Sequence, residues 1–379
     1  MKLVIDENIV YASEAFSSFG NMKLINGRSL VNEDIKDADV LIVRSVTDVN
    51  EKLLKNTNIK FVGTATIGTD HIDLDYLNKH EIQFADAKGC NADSVAEYVF
   101  TALLKITSEK NISLRDKSIG VVGVGNIGSR VERLAESFGM RVLKNDPPLE
   151  RKRIGNSYTS LNKVLKADII TFHVPMHLSG PDKTFHLLNK NNLDLIKNGA
   201  IIINTSRGSV IDNNALFIEW NKKDFELILD VWENEPAVNN ELLLKTKIAT
   251  SHIAGYSFEG KVNGTEMIYN SLCKYLNREP VWSPSLPRIE KDVLTLPPRG
   301  TIEERLYRLF SSIYNIEKDD ELMRKITYLE LKDQPAYFDS LRKKYPIRRE
   351  FNNFTVILEE KDKHFKSILE SLRFNTKII

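Results

Sequence analysis

Short apolar runs alternate with polar or amphipathic stretches along most of the chain. In the first 92 residues, apolar runs predict strands at 3–5, 40–43, 61–65 and 84–85. The same alternation then predicts strands at 118–122, 141–144, 169–174, 200–204, 227–231 and 248–251. Because strands that alternate with helices form parallel sheets, the pattern indicates an α/β protein with two Rossmann-like parallel-sheet units.

Longer amphipathic stretches predict helices that lead out of these units. Ser94 and Glu97 have the spacing of a capping box ahead of an apolar run at 95–106, so a helix is expected to begin there. Residues 256–279 again have helical periodicity. Five of the 12 prolines then lie within residues 280–298, which indicates a linker or an extended arm.

The residues after this arm predict a small α+β module. Helices are expected at 302–313 and 363–374, and short strands at 328–331 and 354–358. The change in composition at the prolines separates this module from the two α/β units.

One strand is followed by a glycine-rich turn with the pattern G-x-G-x-x-G. The turn is Val121-Val-Gly-Val-Gly-Asn-Ile-Gly128, and apolar positions at spacings of three and four predict a helix after it. A second strand at 141–144 then leads to Asp146. This order is the pattern of a dinucleotide-binding unit: a strand, a glycine turn, a helix, a second strand and an acidic residue.

Each part of this unit has a predicted role. Gly123 permits the tight turn, Gly125 lets the backbone approach a pyrophosphate, and Gly128 lets helix and strand pack closely. The helix N-terminus attracts phosphates. Asp146 can accept hydrogen bonds from both ribose hydroxyls and would repel a 2′-phosphate, which favours NAD over NADP. A glycine-rich turn without a ligand is the alternative, but the neighbouring elements favour NAD binding.

Composition and charge limit the class of protein. The chain has 379 residues, 42% of them hydrophobic, and a net charge of +1, so its overall charge gives no reason to expect nucleic acid or membrane partners. It has neither an apolar run long enough to span a membrane nor the pattern of a signal peptide. Cys90 and Cys273 cannot form a disulfide framework and lack the neighbours of a zinc site. We therefore expect a cytoplasmic protein without a metal.

Three loops after predicted strands of the second unit carry polar side chains. Because the carboxyl ends of parallel strands meet at one edge of a sheet, Arg207, Glu235 and His252 are expected at a common site. The loops are Asn204-Thr-Ser-Arg-Gly208, Asp230-Val-Trp-Glu-Asn-Glu-Pro236 and Thr250-Ser-His-Ile-Ala-Gly-Tyr256.

These three residue types fit the oxidation of an alcohol by NAD. An imidazole can take the hydroxyl proton as hydride leaves, and a carboxylate beside it would fix its tautomer. A guanidinium can hold a carboxylate or polarise the developing carbonyl. Taken singly, Arg207 could form a surface ion pair, Glu235 could be a solvated loop residue and His252 a helix cap. Their occurrence together favours NAD-linked oxidation of a small 2-hydroxy acid.

Two loops of the first unit have a composition that suits anion binding. Residues 43–47 and 63–71 follow predicted strands and offer hydroxyl side chains and backbone N–H groups. Ordinary turn chemistry explains the same residues, so both interpretations stay open.

The chain resembles the D-2-hydroxyacid dehydrogenases over essentially its whole length. The motifs that carry this resemblance are the glycine turn at 123–128 and the segments 204–208, 230–236 and 251–255, which are highly specific together. Within the family, the resemblance is to the branch that oxidises 4-phospho-D-erythronate in vitamin B6 biosynthesis. That narrower resemblance lies in residues 63–73, in Asp146-Pro-Pro148 and in the appended C-terminal module.

The resemblance implies three domains and a dimer. Residues 1–92 and 256–284 would bind substrate, and residues 93–255 would form the NAD-binding Rossmann domain. Residues 285–379 would pair two subunits into a homodimer. The substrate would be a small phosphorylated hydroxy acid.

The resemblance also assigns roles to single residues. Arg207 and Glu235 would be catalytic, and His252 would be the acid/base. Val174 stands where relatives often have Thr, so a side-chain hydroxyl contact to NAD would be lost there and only a backbone contact kept. The residues expected to contact NAD are Gly123, Gly125, Asn126, Ile127, Gly128, Asp146, Val174, Ser206, Arg207, Asp230 and Gly255. Those expected to contact substrate are Arg44, Ser45, Thr66 and Tyr256.

A run of basic residues near the C-terminus has two interpretations. The residues at 342–344 and 348–349 would ordinarily form a solvated face. The alternative is that one of these arginines completes the substrate phosphate site from the partner subunit. Arg44, beside Ser45, is the first candidate for binding that phosphate.

Two other functions stay open. One is another D-2-hydroxyacid dehydrogenase, acting on 3-phosphoglycerate or on a glyoxylate-type substrate. The other is a binding protein that senses NAD(H) on the same fold. Turnover assays with several hydroxy acids distinguish these possibilities.

Overall fold

The computed structural model describes residues 1–154 and 157–379, and its contacts divide the chain into two units. The first unit comprises Met1–Asn91 and Ser257–Arg288. The second comprises Ala92–Tyr256 and Ile289–Ile379. The C-terminal residues thus group with the residues of the predicted NAD-binding domain, and their separation as a third domain stays a prediction.

Strands and helices alternate through both units. The strands are β1 (Lys2–Asp6), β2 (Asn21–Ile25), β3 (Val40–Val43), β4 (Phe61–Thr64), β5 (Gln83–Asp86), β6 (Ser118–Val122), β7 (Arg141–Asn145), β8 (Ile169–Phe172), β9 (Ala200–Asn204), β10 (Phe225–Leu229), β11 (Ile248–Ala249), β12 (Val293–Thr295), β13 (Thr355–Leu358) and β14 (Asn375–Ile378). The α-helices are α1 (Ala12–Phe16), α2 (Asn32–Ile35), α3 (Glu51–Leu54), α4 (Leu74–Lys79), α5 (Ala92–Glu109), α6 (Asn126–Ser137), α7 (Pro147–Arg151), α8 (Leu161–Val164), α9 (Asn213–Trp220), α10 (Asn240–Lys245), α11 (Phe258–Tyr275), α12 (Ile302–Ser311), α13 (Ile316–Arg324), α14 (Gln334–Lys343) and α15 (Lys366–Ser371).

The first unit is built on a parallel sheet in the order β2-β1-β3-β4-β5. The strands predicted from apolar runs are confirmed, but β2 was missed. Its residues are mostly exposed, because it lies at the edge of the sheet and its sequence lacks a continuous apolar run. Helix α11 returns to this sheet, and its Tyr269 and Leu272 share a buried core with Ile42 and Phe61.

The second unit contains a parallel sheet in the order β11-β10-β9-β8-β6-β7. The chain starts at β6, moves out to β7, and then crosses back to β8 on the other side of β6. This reversal creates a switch point between β6 and β8, where open α/β sheets bind their ligands. The predicted Rossmann-like parallel sheet is confirmed.

The C-terminal residues add a small α+β module to the second unit. Its three parallel strands have the order β12-β13-β14. Leu306 and Phe310 of α12 belong to the same buried core as Phe100 and Leu103 of α5. No helix among the described residues is both long and apolar enough to cross a lipid bilayer.

The C-terminal helices also cover the edge strand of the six-stranded sheet. Oδ1 of Asp320 in α13 accepts the N–H of Ala249 at 2.7 Å. Arg324 donates from Nη2 to the carbonyl of Thr246 at 2.7 Å. These two contacts satisfy backbone groups that would otherwise be open at the edge of the sheet.

The predicted capping box at Ser94 and Glu97 is wrong. Helix α5 begins at Ala92, so both residues lie inside it. The Ser94 hydroxyl donates to the carbonyl of Ala254 at 3.1 Å, and the Glu97 carboxylate accepts the N–H of Phe351 at 2.8 Å. Both side chains are used in contacts between distant segments, which their local spacing does not reveal.

Three predictions in the C-terminal module also need correction. The strand expected at 328–331 does not form, because Lys325–Tyr328 is a 3-10 turn and Leu331 is 77% exposed. The helix expected at 363–374 is shorter, because Arg373 takes a left-handed conformation (φ 68°) and the chain enters β14. The proline-rich arm contains β12, which was not expected.

Candidate active site

The glycine turn follows β6 and leads directly into α6. Gly123 has a φ of +86°, and a Cβ there would lie 2.7 Å from the carbonyl oxygen of His173. A Cβ on Gly128 would lie 1.9 Å from the carbonyl oxygen of Gly123, so a larger residue would force helix and strand apart. Gly125 is exposed, and a Cβ placed on it would have no other atom within 4 Å. A pyrophosphate needs such open space to approach the backbone closely. The turn therefore fits NAD.

Asp146 ties the end of β7 to the glycine turn. Its Oδ2 accepts the N–H of Val124 at 2.8 Å, and its Oδ1 accepts the N–H of Leu149 at 3.0 Å. An ionised carboxylate has about four acceptor positions, so each oxygen keeps one for a further donor. The side chain is partly exposed. Its position after β7 is therefore compatible with the predicted ribose contact.

The loop after β8 packs against the glycine turn. Cγ1 of Val174 lies 2.8 Å from a Cβ placed on Gly123. His173 is buried between the hydroxyls of Thr171 (2.9 Å from Nε2) and Thr205 (3.3 Å from Nδ1). Burial lowers the pKa of His173 to about 3, so this histidine stays neutral and is unsuited to proton transfer near neutral pH.

Glu235 and His252 form a hydrogen-bonded pair beyond β10 and β11. Oε2 of Glu235 lies 2.8 Å from Nδ1 of His252, and Oε1 accepts the N–H of Trp232 at 2.7 Å. Because an ionised carboxylate can only accept, Nδ1 must carry the hydrogen, and Nε2 keeps its lone pair. Both side chains are partly exposed. The pair thus has the geometry of an oriented general base.

The protonation state of Glu235 is set by opposing effects. Burial opposes ionisation of this carboxyl. The charge and hydrogen bond of His252, the N–H of Trp232 and the charge of Arg342 outweigh burial and hold the pKa of Glu235 below its usual value. The carboxylate is therefore ionised at neutral pH and can stabilise a protonated imidazole.

Asp230 holds the backbone around His252. The N–H of His252 donates to the Asp230 carbonyl at 2.7 Å. The N–H groups of Ile253 and Ala254 donate to its carboxylate at 2.8 and 2.9 Å. These contacts support a left-handed backbone at His252 (φ 60°), which is uncommon for a residue other than glycine. Asp230 is almost fully buried, and its predicted contact with NAD stays a prediction.

Arg207 lies in the loop after β9, the strand next to β10. Its Nη1 donates to the carbonyl of Ser206 at 2.8 Å, and its own carbonyl accepts Nδ2 of Asn204 at 3.0 Å. A Cβ on Gly208 would lie 1.9 Å from the backbone carbon of Trp232, so the loops after β9 and β10 are in direct contact. Since β9, β10 and β11 are adjacent, the loops of Arg207, Glu235 and His252 share one edge of the sheet.

The predicted substrate residues of the first unit lie beyond β3 and β4. Nε of Arg44 is 3.2 Å from Oδ2 of Asp6, whose side chain is buried, so the charge of Arg44 is already compensated. Ser45 is exposed, and the hydroxyl of Thr66 lies 2.9 Å from that of Thr64. Because β3 and β4 are adjacent and parallel, these residues lie at one edge of their own sheet.

The interpretation of the basic run as a solvated face is wrong for three of its residues. Lys343 and Lys344 are exposed, but Arg348 is buried, and Arg342 and Arg349 are partly buried. The guanidinium of Arg342 lies 5.7 Å from the ring centre of Tyr256, and its charge acts on Glu235. The sequence carries no signal that separates these arginines from their exposed neighbours, because Arg342 and Arg348 contact segments far away along the chain.

One group of side chains within residues 1–154 and 157–379 has the spacing of a metal site. Ligand atoms of His186, Asp212 and Glu233 all lie within 4.8 Å of one another. They also have protein partners: His186 contacts Glu233 at 2.6 Å, Asp212 accepts the N–H of Ala215, and Glu233 accepts that of Asn213. These bonds account for the group without an ion, and the absence of a metal stays a prediction.

Two family descriptions match consecutive parts of the chain. Residues 97–254 match the D-isomer specific 2-hydroxyacid dehydrogenase, NAD binding domain. Residues 286–372 match a domain of unknown function, DUF3410. The first match contains the glycine turn, Arg207, Glu235 and His252.

Known proteins resemble the chain either in sequence over its whole length or in structure over about three quarters of it. An erythronate-4-phosphate dehydrogenase of Proteus mirabilis is 40% identical over 378 residues, which cover 99% of each chain. A solved D-lactate dehydrogenase from Aquifex aeolicus, in complex with NAD and lactic acid, is 27% identical with a TM-score of 0.60, over 73% of this chain and 96% of that one. An NAD+-bound 3-phosphoglycerate dehydrogenase of Entamoeba histolytica is 26% identical with a TM-score of 0.63, over 73% and 95%.

Proposed function

The chain belongs to the erythronate-4-phosphate dehydrogenase family of D-isomer specific 2-hydroxyacid dehydrogenases, and from this premise we propose which reaction it catalyses. The reaction is oxidation of 4-phospho-D-erythronate by NAD to 2-oxo-3-hydroxy-4-phosphobutanoate, a step of pyridoxal 5′-phosphate biosynthesis. The observation that carries the proposal is the hydrogen bond between Glu235 and His252, at the carboxyl edge of a sheet whose glycine turn fits NAD.

In this proposal, His252 is the base. Its Nε2 takes the proton of the substrate's C2 hydroxyl as that carbon loses hydride. NAD, when bound, supplies the acceptor for the hydride. Glu235 keeps the hydrogen on Nδ1 and stabilises the positive charge that the ring gains. Arg207 holds the substrate carboxylate or the oxygen that becomes the carbonyl.

NAD would be held mainly by the glycine turn and the loops at the same sheet edge. The open space above Gly125 would take the pyrophosphate, and the free acceptor positions of Asp146 would take the ribose hydroxyls. The other proposed contacts are Gly123, Asn126, Ile127, Gly128, Val174, Ser206, Arg207, Asp230 and Gly255. The proposed substrate contacts are Arg44, Ser45, Thr66 and Tyr256.

Reduction of NAD measured with several acids tests the proposal. We expect the highest kcat/KM with 4-phospho-D-erythronate, and much lower values with 3-phosphoglycerate, glycerate and glyoxylate-type substrates. NADP should serve poorly, because the carboxylate of Asp146 repels a 2′-phosphate. A preference for 3-phosphoglycerate would assign the chain to another reaction of the family. NADH binding without turnover of any acid would favour a sensor.

We also propose that two copies pair through the C-terminal module. The support is a set of apolar side chains left exposed there: Tyr328 is 86%, Leu331 77% and Ile347 71% exposed. Light scattering should give the mass of a dimer for the wild type and of a monomer for Tyr328→Ser with Leu331→Ser. A wild-type monomer at micromolar concentration would contradict the pairing.

We propose a cytoplasmic location, and the support is the state of the two cysteines. Cys90 and Cys273 are both buried, and no disulfide joins them. A reducing compartment preserves such thiols. Cell fractionation with an antibody against the protein tests this location.

A further inference from the structure

Arg342 is a partly buried cation near the catalytic pair, and the carboxylates of Glu235 and Asp339 act on its charge. Among the described residues it forms no ion pair, and its Nε is shielded from solvent without a hydrogen-bond partner. The buried guanidinium of Arg305, by comparison, forms two hydrogen bonds with the carboxylate of Asp362. A shielded N–H donor without an acceptor is costly, so the open Nε of Arg342 points to an acceptor that the protein does not supply.

The surroundings of Arg342 indicate where such an anion would bind. Its guanidinium lies 5.7 Å from the ring centre of Tyr256, four residues after His252. Its positive charge is one of the influences that lower the pKa of Glu235. Arg342 therefore faces the catalytic pair from helix α14 of the C-terminal module.

The charge of Arg342 does not assist proton transfer by itself. His252 must become positively charged when it takes the substrate proton, and a permanent cation nearby opposes this change. A dianion bound to Arg342 would cancel that opposition. Arg342 is thus better suited to binding part of the substrate than to activating the base directly.

Arg44 is less suited to that role. The guanidinium of Arg44 is paired with Asp6 at 3.2 Å, so its charge is already compensated. Lys343 and Lys344, the next residues of the basic run, are exposed. Solvent and salt therefore screen their electrostatic attraction for a bound anion.

We propose that Arg342, in the same chain as His252, binds the terminal phosphate of the substrate and so selects a phosphorylated 2-hydroxy acid. The planar guanidinium matches two phosphate oxygens, which a lysine cannot do. Only a few bonds separate C2 from the phosphorus atom, so the phosphate must lie close to the acid/base pair. This inference rests on the proposed function and identifies the group that recognises its phosphate.

Paired kinetics with and without the phosphate test Arg342. Arg342→Met should lower kcat/KM for 4-phospho-D-erythronate by about 10²-fold, the effect of removing one partner of a shielded charge pair. The KM for NAD should not change. Turnover of unphosphorylated erythronate should stay the same or rise, because the cation that opposes protonation of His252 is gone. Arg342→Lys should restore only part of the loss.

Lys343→Met is the matched control, since it removes a positive charge from the adjacent exposed position. It should leave both substrates unaffected. Equal losses of Arg342→Met on phosphorylated and unphosphorylated substrates would overturn the inference, because they would show an effect on the catalytic pair alone. An unchanged kcat/KM for the phosphorylated substrate would also overturn it.

Binding of inorganic phosphate separates this inference from the proposed function. If the wild type does not oxidise 4-phospho-D-erythronate, the proposed function fails, but calorimetric titration of the NAD-bound protein with inorganic phosphate still tests Arg342. Binding that is at least tenfold weaker in Arg342→Met supports the anion site, and equal binding refutes it. Circular dichroism and melting temperature establish that the variant is folded.

Discussion

At the residue scale, two histidines near the same sheet edge have opposite properties because of their neighbours. His173 lies between two hydroxyls in a buried position, and its lowered pKa keeps it neutral. His252 faces the ionised carboxylate of Glu235, which can stabilise a positive ring. Only His252 is therefore arranged to gain and release a proton during turnover.

Replacing His252 should remove most of the turnover. We expect His252→Ala to lower kcat by roughly 10²-fold or more, the usual share of a general base. NADH binding, followed by fluorescence, should be retained, because the glycine turn does not depend on this side chain. Turnover close to that of the wild type would mean that another group takes the proton.

The buried state of His173 should appear in the pH dependence of stability. Between about pH 3 and 6.5, the unfolded chain binds a proton at this histidine that the folded protein does not bind. Stability is therefore highest above this range and falls as the pH decreases through it, by up to about 1.4 kcal/mol per pH unit. His173→Asn should reduce this slope in urea unfolding measured at several pH values.

Exposed His364 provides the comparison for His173. His364→Asn should preserve the wild-type slope. The same slope in His173→Asn and the wild type would show that His173 is not the group responsible. The test compares slopes rather than absolute stabilities, so a general loss of stability in the variant does not affect it.

At the element scale, the turn between β6 and α6 uses its glycines for different purposes. Gly123 and Gly128 are required by the fold, because a Cβ at either position would collide with neighbouring backbone. Gly125 has open space around it, and its negative φ of −73° does not require glycine. The fold tolerates a side chain there, and only a ligand close to the backbone would exclude one.

Gly125→Ala should therefore separate cofactor binding from stability. We expect the free energy of unfolding without NAD to stay within about 0.5 kcal/mol of the wild type, as for a substitution that meets no neighbour. The Kd for NAD should rise at least tenfold. Gly128→Ala should instead lower stability itself, and unchanged NAD affinity in Gly125→Ala would argue against the pyrophosphate position.

At the scale of the whole molecule, the C-terminal module contributes to the loop that carries the base. Arg348 is buried and donates from Nη2 to the carbonyls of Ala254 (2.6 Å) and Ser94 (3.2 Å). Its guanidinium also lies 4.4 Å from the ring centre of Tyr314. A residue far along the chain thus fixes the segment that follows His252.

Arg348→Met should lower stability by roughly 3 kcal/mol, because buried carbonyls would lose a charged donor. Urea unfolding measures this loss. Lys344→Met, which also removes a positive charge but at an exposed position, should change stability by less than about 0.5 kcal/mol. A loss no larger than that of the control would mean that water or another residue replaces Arg348.

Much of the fold was predictable because its signals are local. Apolar runs and their spacing predicted most strands of both large sheets, and the glycine pattern predicted the turn before α6. Edge strand β2 was not predicted, because an exposed edge does not need a continuous apolar sequence. The capping box at Ser94 was wrong because the same residues can serve a helix start or a long-range contact.

Local patterns in the sequence were sufficient to predict the alternation of strands and helices, the NAD-binding turn and the loops that carry Arg207, Glu235 and His252. The pairing of Glu235 with His252, and of Glu233 with His186, became visible only in the folded chain. The tertiary structure also placed Arg342 and Arg348 beside the segment after His252. The physical reason is that periodicity and turn chemistry act between near neighbours, whereas ion pairing and burial depend on which distant segments the fold brings into contact.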